Sequence, residues 1–76
     1  MNAVFEFEIS HKSGLIDCFN VMSDSLRSAW YTAQRLTGAG TVKTAKVRCP
    51  DALGDTYWHP LDEARKLEHI AKTVRR

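Results

Sequence analysis

Strict alternation of apolar and polar residues marks the beginning of the chain, at residues 3–10. Neighbouring side chains of a strand point to opposite faces of a sheet, so this pattern predicts a strand that is buried on one face only. The apolar face carries Phe5, Phe7 and Ile9, and the polar face carries Glu6, Glu8 and Ser10. Residues 11–14 end at Gly14, which can adopt the positive φ of a hairpin turn.

The second strand is expected at residues 15–22, paired with the first as a hairpin. Its predicted inward side chains are Leu15, Phe19 and Val21, and its outward side chains are Ile16, Cys18 and Asn20. Because one face of an antiparallel hairpin can pack on a core while the other meets water, the two sets separate a covered face from an open one.

A helical period replaces the alternation after the second strand. Ser23, Asp24 and Ser25 carry oxygen atoms that can accept hydrogen bonds from the free N–H groups of a first helical turn. The apolar residues that follow are mostly spaced by three or four positions: Leu26, Ala29, Trp30, Ala33 and Leu36. This spacing predicts an amphipathic helix with one buried stripe, which Gly38 ends.

Alternation returns at residues 41–49 and predicts a third strand, which Pro50 ends because proline has no N–H for the sheet. Ala45, Val47 and Cys49 are expected to face inward, and Thr44, Lys46 and Arg48 outward. Residues 51–55 are predicted to form a loop, and residues 56–59 a short fourth strand that pairs with the third.

A second helix is predicted to start at Pro60, since proline is favoured in the first turn of a helix. Its apolar positions are Leu61, Ala64, Leu67, Ala71 and Val74, with Ile70 beside them. This stripe has the spacing of a helix that packs against a sheet, so we expect it to share a layer with the first helix.

These elements predict one α+β domain over residues 1–76, in the order ββαβ(β)α. The helix after the second strand carries the chain back, so the third strand runs antiparallel to the first and adds beside it. The expected strand order is 2-1-3, or 2-1-3-4 if residues 56–59 pair. Both helices are predicted to cover one face, which gives a two-layer sandwich with an open sheet face.

Length and composition fit one small unit, since the chain has 76 residues and 43% of them are apolar. It has no run of about 18 apolar residues, and its first residues lack the basic and apolar regions of a signal peptide. We therefore expect a cytoplasmic protein without a membrane segment. In that reducing compartment Cys18 and Cys49 are expected to be free, partly buried thiols.

Motifs for catalysis or metal binding are missing from the sequence. The candidate metal ligands have none of the short spacings that form a zinc site: His11, Cys18, Cys49, His59 and His69. No nucleophile elbow or glycine-rich phosphate loop accompanies them. The sequence therefore predicts a protein that is not an enzyme and needs no metal or other cofactor.

Positive charge is concentrated in the middle third of the chain. The net charge of +2 is too small to indicate a nucleic-acid partner, but residues 25–50 hold five basic side chains and no acidic one. These cations and two tyrosines form the predicted partner-binding set: Arg27, Tyr31, Arg35, Lys43, Lys46, Arg48 and Tyr57. Arginine and tyrosine anchor many protein interfaces, and the same cations suit phosphates. The alternative interpretation assigns these residues no partner. The outer face of the helix would then simply be solvated, and the cations of the sheet face would pair with Glu6 and Glu8.

Aromatic residues cluster just before the second helix. In an extended segment Trp58 points to the opposite side from Tyr57 and His59. We expect Trp58 to cover the end of a small core. Tyr57 and His59 would then be exposed beside the third strand, where they could contact a partner.

Three stretches carry a resemblance to a known class: residues 5–9 (FEFEI), 25–36 (SLRSAWYTAQRL) and 43–48 (KTAKVR). In size, element order and charged surface the chain resembles the small α+β proteins encoded by bacteriophages and other mobile elements, among them the anti-CRISPR inhibitors. The resemblance implies a non-enzymatic protein that docks on a CRISPR effector and blocks DNA binding or nuclease recruitment. Many such inhibitors are acidic and imitate DNA, whereas the basic middle of this chain favours an acidic effector surface or a place beside its nucleic acid. The class shares no motif, so the resemblance assigns no functional residue.

The leading interpretation is a phage-type protein that binds a host protein or nucleoprotein complex in the bacterial cytoplasm and inhibits or modulates it. A CRISPR effector is the specific form of that target. A small nucleic-acid-binding module with the same cations is one alternative. A structural or dimerising accessory protein, with the second helix and the sheet edge as its interface, is another. Monomer and homodimer both stay open, and no membrane partner is expected.

Overall fold

β1 (Ala3–His11) lies in the middle of a four-stranded antiparallel sheet in a computed structural model that describes residues 2–74. It pairs on one side with β2 (Ile16–Ser23) and on the other with β3 (Val42–Arg48). The two-residue β4 (His59–Pro60) adds to the outer side of β3. The strand order β2-β1-β3-β4 confirms the predicted sheet and the predicted α+β class.

The helical elements of the described chain connect the strands and cover one side of the sheet: α1 (Leu26–Thr37), a 3₁₀ turn (Ala39–Thr41), α2 (Pro50–Leu53) and α3 (Leu61–Val74). α1 begins and ends as predicted. Ser25 Oγ accepts a hydrogen bond from Ser28 N at 3.2 Å, which caps the first turn. Gly38 ends the helix with a φ of 85°, and its N–H donates to the carbonyl of Gln34.

Several predicted boundaries move, most of them after β3. The expected loop at residues 51–55 is in part the helical turn α2, because Pro50 supplies the φ of a first helical residue and Gly54 closes the turn with a φ of 85°. The expected fourth strand at residues 56–59 is shorter and shifted to β4. α3 accordingly starts one residue later than predicted, directly after β4.

The core lies between the helices and one face of the sheet. Its buried side chains come from alternate strand positions, the helices and the strand end after β3: Phe5, Phe7, Ile9, Val21, Leu26, Ala29, Trp30, Ala33, Val47, Cys49, Leu53 and Ala64. Phe7 is fully buried, and its ring centroid lies 6.1 Å from that of Phe19 and 5.8 Å from that of Trp30. Because all three helices contribute to this one cluster, they cover the same face, as predicted for the two long helices, and leave the other face open.

Two leucines that were predicted to face inward are exposed. Leu15 lies in the turn before β2 and keeps 60% of its surface accessible. Leu36 keeps 69%. It lies in the last turn of α1 and at the edge of the buried stripe, about 80° around the helix from Leu26 and about 20° beyond the buried Ala29.

The apolar stripe of α3 is confirmed in the first half of the helix. Ala64 is buried, and Leu61 and Leu67 are partly buried against the core. The side chains of Ala71 and Val74, like the one at position 39, lie outside the described part of the chain. None of the described helices has both the length and the apolar character that crossing a membrane requires.

A hydrogen-bonded polar cluster joins the end of β1 to β2 and α1. His11 is only 5% exposed, and its Nε2 donates to Asp17 Oδ2 at 2.8 Å. Thr37, at the end of α1, donates to the same carboxylate oxygen at 3.0 Å. Thr41 Oγ1 lies 2.8 Å from His11 Nδ1 and donates to the carbonyl of Gly38. The cluster therefore fixes the end of α1 above the beginning of β2.

A second long-range bond holds α3 against α1. Leu26 N, in the first turn of α1, donates to Glu68 Oε2 of α3 at 2.8 Å. The first N–H groups of a helix have no partner within the helix, and the helix dipole favours an anion beside them. This bond fixes the spacing between α1 and α3.

The Asp17 carboxylate is expected to make the fold sensitive to acid. Hydrogen bonds from His11 and then from Thr37 hold the pKa of Asp17 below its ordinary value of 3.8. A depressed pKa in the folded state stabilises the fold above the ordinary value, and that contribution is lost as the pH falls through the depressed one. Between about pH 5 and about pH 2, the free energy of unfolding should fall less steeply for Asp17→Asn than for the natural chain. Urea unfolding at several pH values measures both slopes, and equal slopes would contradict this role.

Candidate binding surfaces

A shallow groove of about 460 Å³ runs along α1. Its lining includes Arg27, Trp30, Tyr31 and Gln34 of α1 and Arg65 of α3, together with two serines at the start of α1. We call it the α1 groove. No carboxylate is among its lining residues, so it is a cationic surface with aromatic walls.

The winding of α1 brings three predicted site residues together beside this groove. Arg27, Tyr31 and Arg35 are spaced by four residues and therefore follow one line of the helix. The guanidinium carbon of Arg35 lies 6.0 Å from the centroid of the exposed Tyr31 ring. Trp30 lines the groove with its ring packed against the buried Phe7. Guanidinium groups and a tyrosine in this arrangement suit a carboxylate or a phosphate, which they can hydrogen-bond and cover.

The open face of the sheet uses Arg48 in a different way. Its Nε and Nη2 donate to the two carboxylate oxygens of Glu6, at 3.0 Å and 2.8 Å. This bidentate hydrogen bond holds the pKa of Glu6 below its usual range and raises the pKa of Arg48. The guanidinium carbon also lies 4.8 Å from the centroid of the Trp58 ring. Arg48 is thus paired, as the alternative interpretation of the sheet face predicts.

The position of Trp58 corrects the expectation that it covers the end of the core. In the β3–β4 register His59 lies opposite Val47, whose side chain is in the core. Trp58, one residue earlier, therefore belongs to the other face, where it stacks on Arg48. The sequence indicates the alternation but not the register, and the register decides which aromatic side chain faces inward.

The loop before β4 holds the two other aromatic candidates. His59 is only partly exposed, contrary to prediction, because its Nε2 is bonded to Asp55 Oδ1 at 2.7 Å. Tyr57 N donates to the same oxygen at 3.1 Å. These bonds, first that from His59, lower the pKa of Asp55. The Tyr57 side chain is exposed, as predicted.

The remaining lysines of the predicted set lie apart from the α1 groove. Lys46 is exposed on the open face, opposite Glu8 in the register of β1 and β3. Lys43 borders a smaller depression of about 310 Å³ between β3 and the start of α3, where Asp62 is also found. The structure thus brings together Arg27, Tyr31 and Arg35, and distributes the other four residues over different surfaces.

The thiols and histidines give no sign of a metal centre in the part of the chain that the structure describes, where no cluster of three or more potential ligands occurs. Both thiols are free, but neither is partly buried as predicted, since Cys18 is exposed on β2 and Cys49 is buried. Burial raises the pKa of the Cys49 thiol and disfavours the reactive thiolate.

Sequence reasoning missed the His11 cluster and Arg65. A signal for the cluster was present, because His11 continues the inward series of β1 and Asp17 belongs to the inward series of β2. A histidine and a carboxylate on one buried face are expected to pair. No such signal exists for Arg65, since its place beside α1 depends on how α3 packs.

A scan against protein-family models, a search of the curated proteins and a search of the solved structures found no match to this chain. The candidate surfaces are therefore judged by their own chemistry. In the part of the chain that the structure describes, the α1 groove brings Arg27 and Arg65 together without a carboxylate in its lining, whereas Arg48 on the open face is paired with Glu6.

Arg48 and Lys46 are expected to differ in stability effects although both are cations on β3. Lys46→Ala should change the free energy of unfolding by less than about 0.5 kcal/mol, as exposed substitutions usually do. Arg48→Ala should be clearly more destabilising, because both the Glu6 carboxylate and the Trp58 ring lose their partner. Adding Glu6→Gln to Arg48→Ala should cause little further loss in urea unfolding. Equal losses for the two single variants would contradict the pairing.

Proposed function

We propose that this chain is a non-enzymatic binding protein that docks on an acidic surface of a larger host complex and inhibits or modulates it. The observation that carries the proposal is the α1 groove, where Arg27, Arg65 and Tyr31 lie together without a carboxylate among the lining residues. In its specific form, taken from the resemblance to anti-CRISPR inhibitors, the target is a CRISPR effector.

The chemistry of the groove favours an acidic protein segment as its occupant. Two guanidinium groups can each hold a carboxylate through paired hydrogen bonds. Tyr31 adds a rigid, exposed aromatic surface of the kind that anchors interfaces. Glu68, three residues after Arg65 on α3, already accepts a hydrogen bond from the first turn of α1. An incoming acidic side chain therefore meets cations rather than a competing anion.

A nucleic-acid partner is the second candidate, because the same arginines can contact phosphates. A phosphate backbone is best followed by a continuous line of cations. In this chain Arg48 is engaged by Glu6, Lys46 lies opposite Glu8, and Lys43 shares its depression with Asp62. The cations are thus divided among surfaces, which favours a local contact with protein over a track for nucleic acid.

Capture from bacterial lysate with matched charge-reversal variants tests the proposal. The tagged chain is used with and without nuclease treatment. We expect one host protein complex to be retained in both conditions. Arg27→Glu combined with Arg65→Glu should reduce its recovery by about tenfold or more, because each glutamate would face the acidic surface of the target. Lys43→Glu combined with Lys46→Glu changes the charge equally outside the groove and should reduce recovery less than about twofold.

Two outcomes would contradict the docking proposal, and a third would contradict only its CRISPR-specific form. Recovery that disappears with nuclease would assign the groove to nucleic acid. Equal losses for the two double variants would mean that net charge, and not the groove, mediates binding. For the CRISPR-specific form, expression of the chain should restore plating of a phage that an active CRISPR system targets. A failure across the effector types tested would remove that target and leave the docking proposal to the capture experiment.

A further inference from the structure

The free edge of β2 offers unpaired backbone groups at every second residue. His11 N donates to Leu15 O at 2.8 Å, which makes these two residues a hydrogen-bonded pair of the hairpin. Hydrogen-bonded and non-hydrogen-bonded pairs alternate along an antiparallel ladder. Four residues therefore direct their N–H and C=O groups away from β1: Ile16, Cys18, Asn20 and Met22. Another extended strand is the partner that satisfies such a row.

This edge lacks the features by which proteins usually block strand addition. β2 is eight residues long, and its pairing with β1 has no register shift. Within β2 there is no lysine and no proline, and the one charged residue, Asp17, is bonded to His11 and Thr37. A long, regular edge strand that has no proline, no bulge and no unpaired charge readily pairs with a second strand.

Exposed apolar side chains flank the edge on both sides of the sheet. On the open side Ile16 and Met22 are 56% and 68% exposed. On the helix side Leu15 and Leu36 are 60% and 69% exposed. The bond from Thr37 to Asp17 places the end of α1, and with it Leu36, near the beginning of β2. Burial of these four side chains would add apolar stabilisation to the backbone bonds of an added strand.

We propose that the occupant of this edge is a second copy of the chain, with the two β2 strands antiparallel around a two-fold axis at Phe19. In this register Ile16 lies opposite Met22 of the other copy, and Cys18 lies opposite Asn20. Every residue with outward backbone groups thus meets another such residue, and the whole strand is used. The two sheets become one sheet of eight strands.

The two-fold axis at Phe19 also passes close to the middle of the exposed side of α1, at Thr32. This coincidence favours a second copy of the chain over an unrelated strand. Thr32 precedes Thr37 by five helical residues, about 7.5 Å along α1. Phe19 follows Asp17 by two strand residues, about 6.7 Å along β2. Since Thr37 is bonded to Asp17 and α1 runs back along β2, Thr32 lies close to the level of Phe19.

Side-chain size around this centre is self-complementary. The exposed ridge Ser28, Thr32 and Leu36 has a small residue at one end and a large one at the other. A two-fold axis at Thr32 brings Leu36 of each copy against Ser28 of the other copy. Ser28 also borders the α1 groove. Beyond the strand ends, the exposed Asp24 approaches the turn of the other copy, which carries Lys12. The charges that meet there are opposite.

Sedimentation equilibrium over a range of concentrations tests the dimer. Thr32→Lys puts two like charges next to the axis and should raise the dimer dissociation constant about tenfold or more. Met22→Lys, a second variant at the open side of the edge, should do the same. Thr56→Lys makes the identical chemical change in an exposed loop and should leave the constant unchanged. Circular dichroism checks that each variant is folded.

Cys18 reports the register directly, because it is exposed while Cys49 is buried. In the proposed pairing the two Cys18 Cα atoms are about 8 Å apart, within reach of a short bismaleimide. Treatment of the natural chain should give a covalent dimer on a denaturing gel, and Thr32→Lys or Cys18→Ser should abolish it. A chain that stays monomeric at all concentrations would overturn the proposal. So would a dimer that Thr32→Lys leaves intact or that Cys18 does not cross-link.

Discussion

Strand β1 imposes the constraint on which the rest of the structure depends. It has a partner strand on each side, and its side chains alternate between Phe5, Phe7 and Ile9 on one face and glutamates on the other. A chain of 76 residues can build only one core, so every helix must pack on the apolar face. The open face is then left to Glu6, which Arg48 holds, and to Glu8, which lies opposite Lys46.

This constraint also explains why the candidate surfaces are separate. Arg48 lies on the open face, and there the Glu6 carboxylate is its nearest charge partner. Arg27 and Tyr31 lie on the outer side of α1, where the structure places Arg65 beside them. The free edge of β2 runs along a third side, below the opposite flank of α1. A partner in the α1 groove and a second copy at β2 therefore occupy largely different sides of the same helix.

The sequence predicted what depends on local periodicity. Alternation identified the buried face of β1, and helical spacing identified Leu26, Ala29, Trp30 and Ala33 as the buried stripe of α1. What it did not predict depends on register and packing between distant segments. Trp58 faces outward because β4 places His59, and not Trp58, opposite the buried Val47. Leu36 is exposed because it lies at the edge of the buried stripe, in the last turn of α1. Arg65 reaches the groove only through the docking of α3, which the bond from Leu26 N to Glu68 helps to fix.

Residue-specific amide hydrogen exchange of the dilute, monomeric chain tests the register of β2 against β1, on which both the core and the free edge depend. Asp17, Phe19 and Val21 should exchange slowly, because their N–H groups donate to β1. The amides of Ile16, Cys18, Asn20 and Met22 should exchange much faster, because they point away from the sheet. The same rate for both sets, or slow exchange in the second set alone, would contradict this arrangement of the sheet.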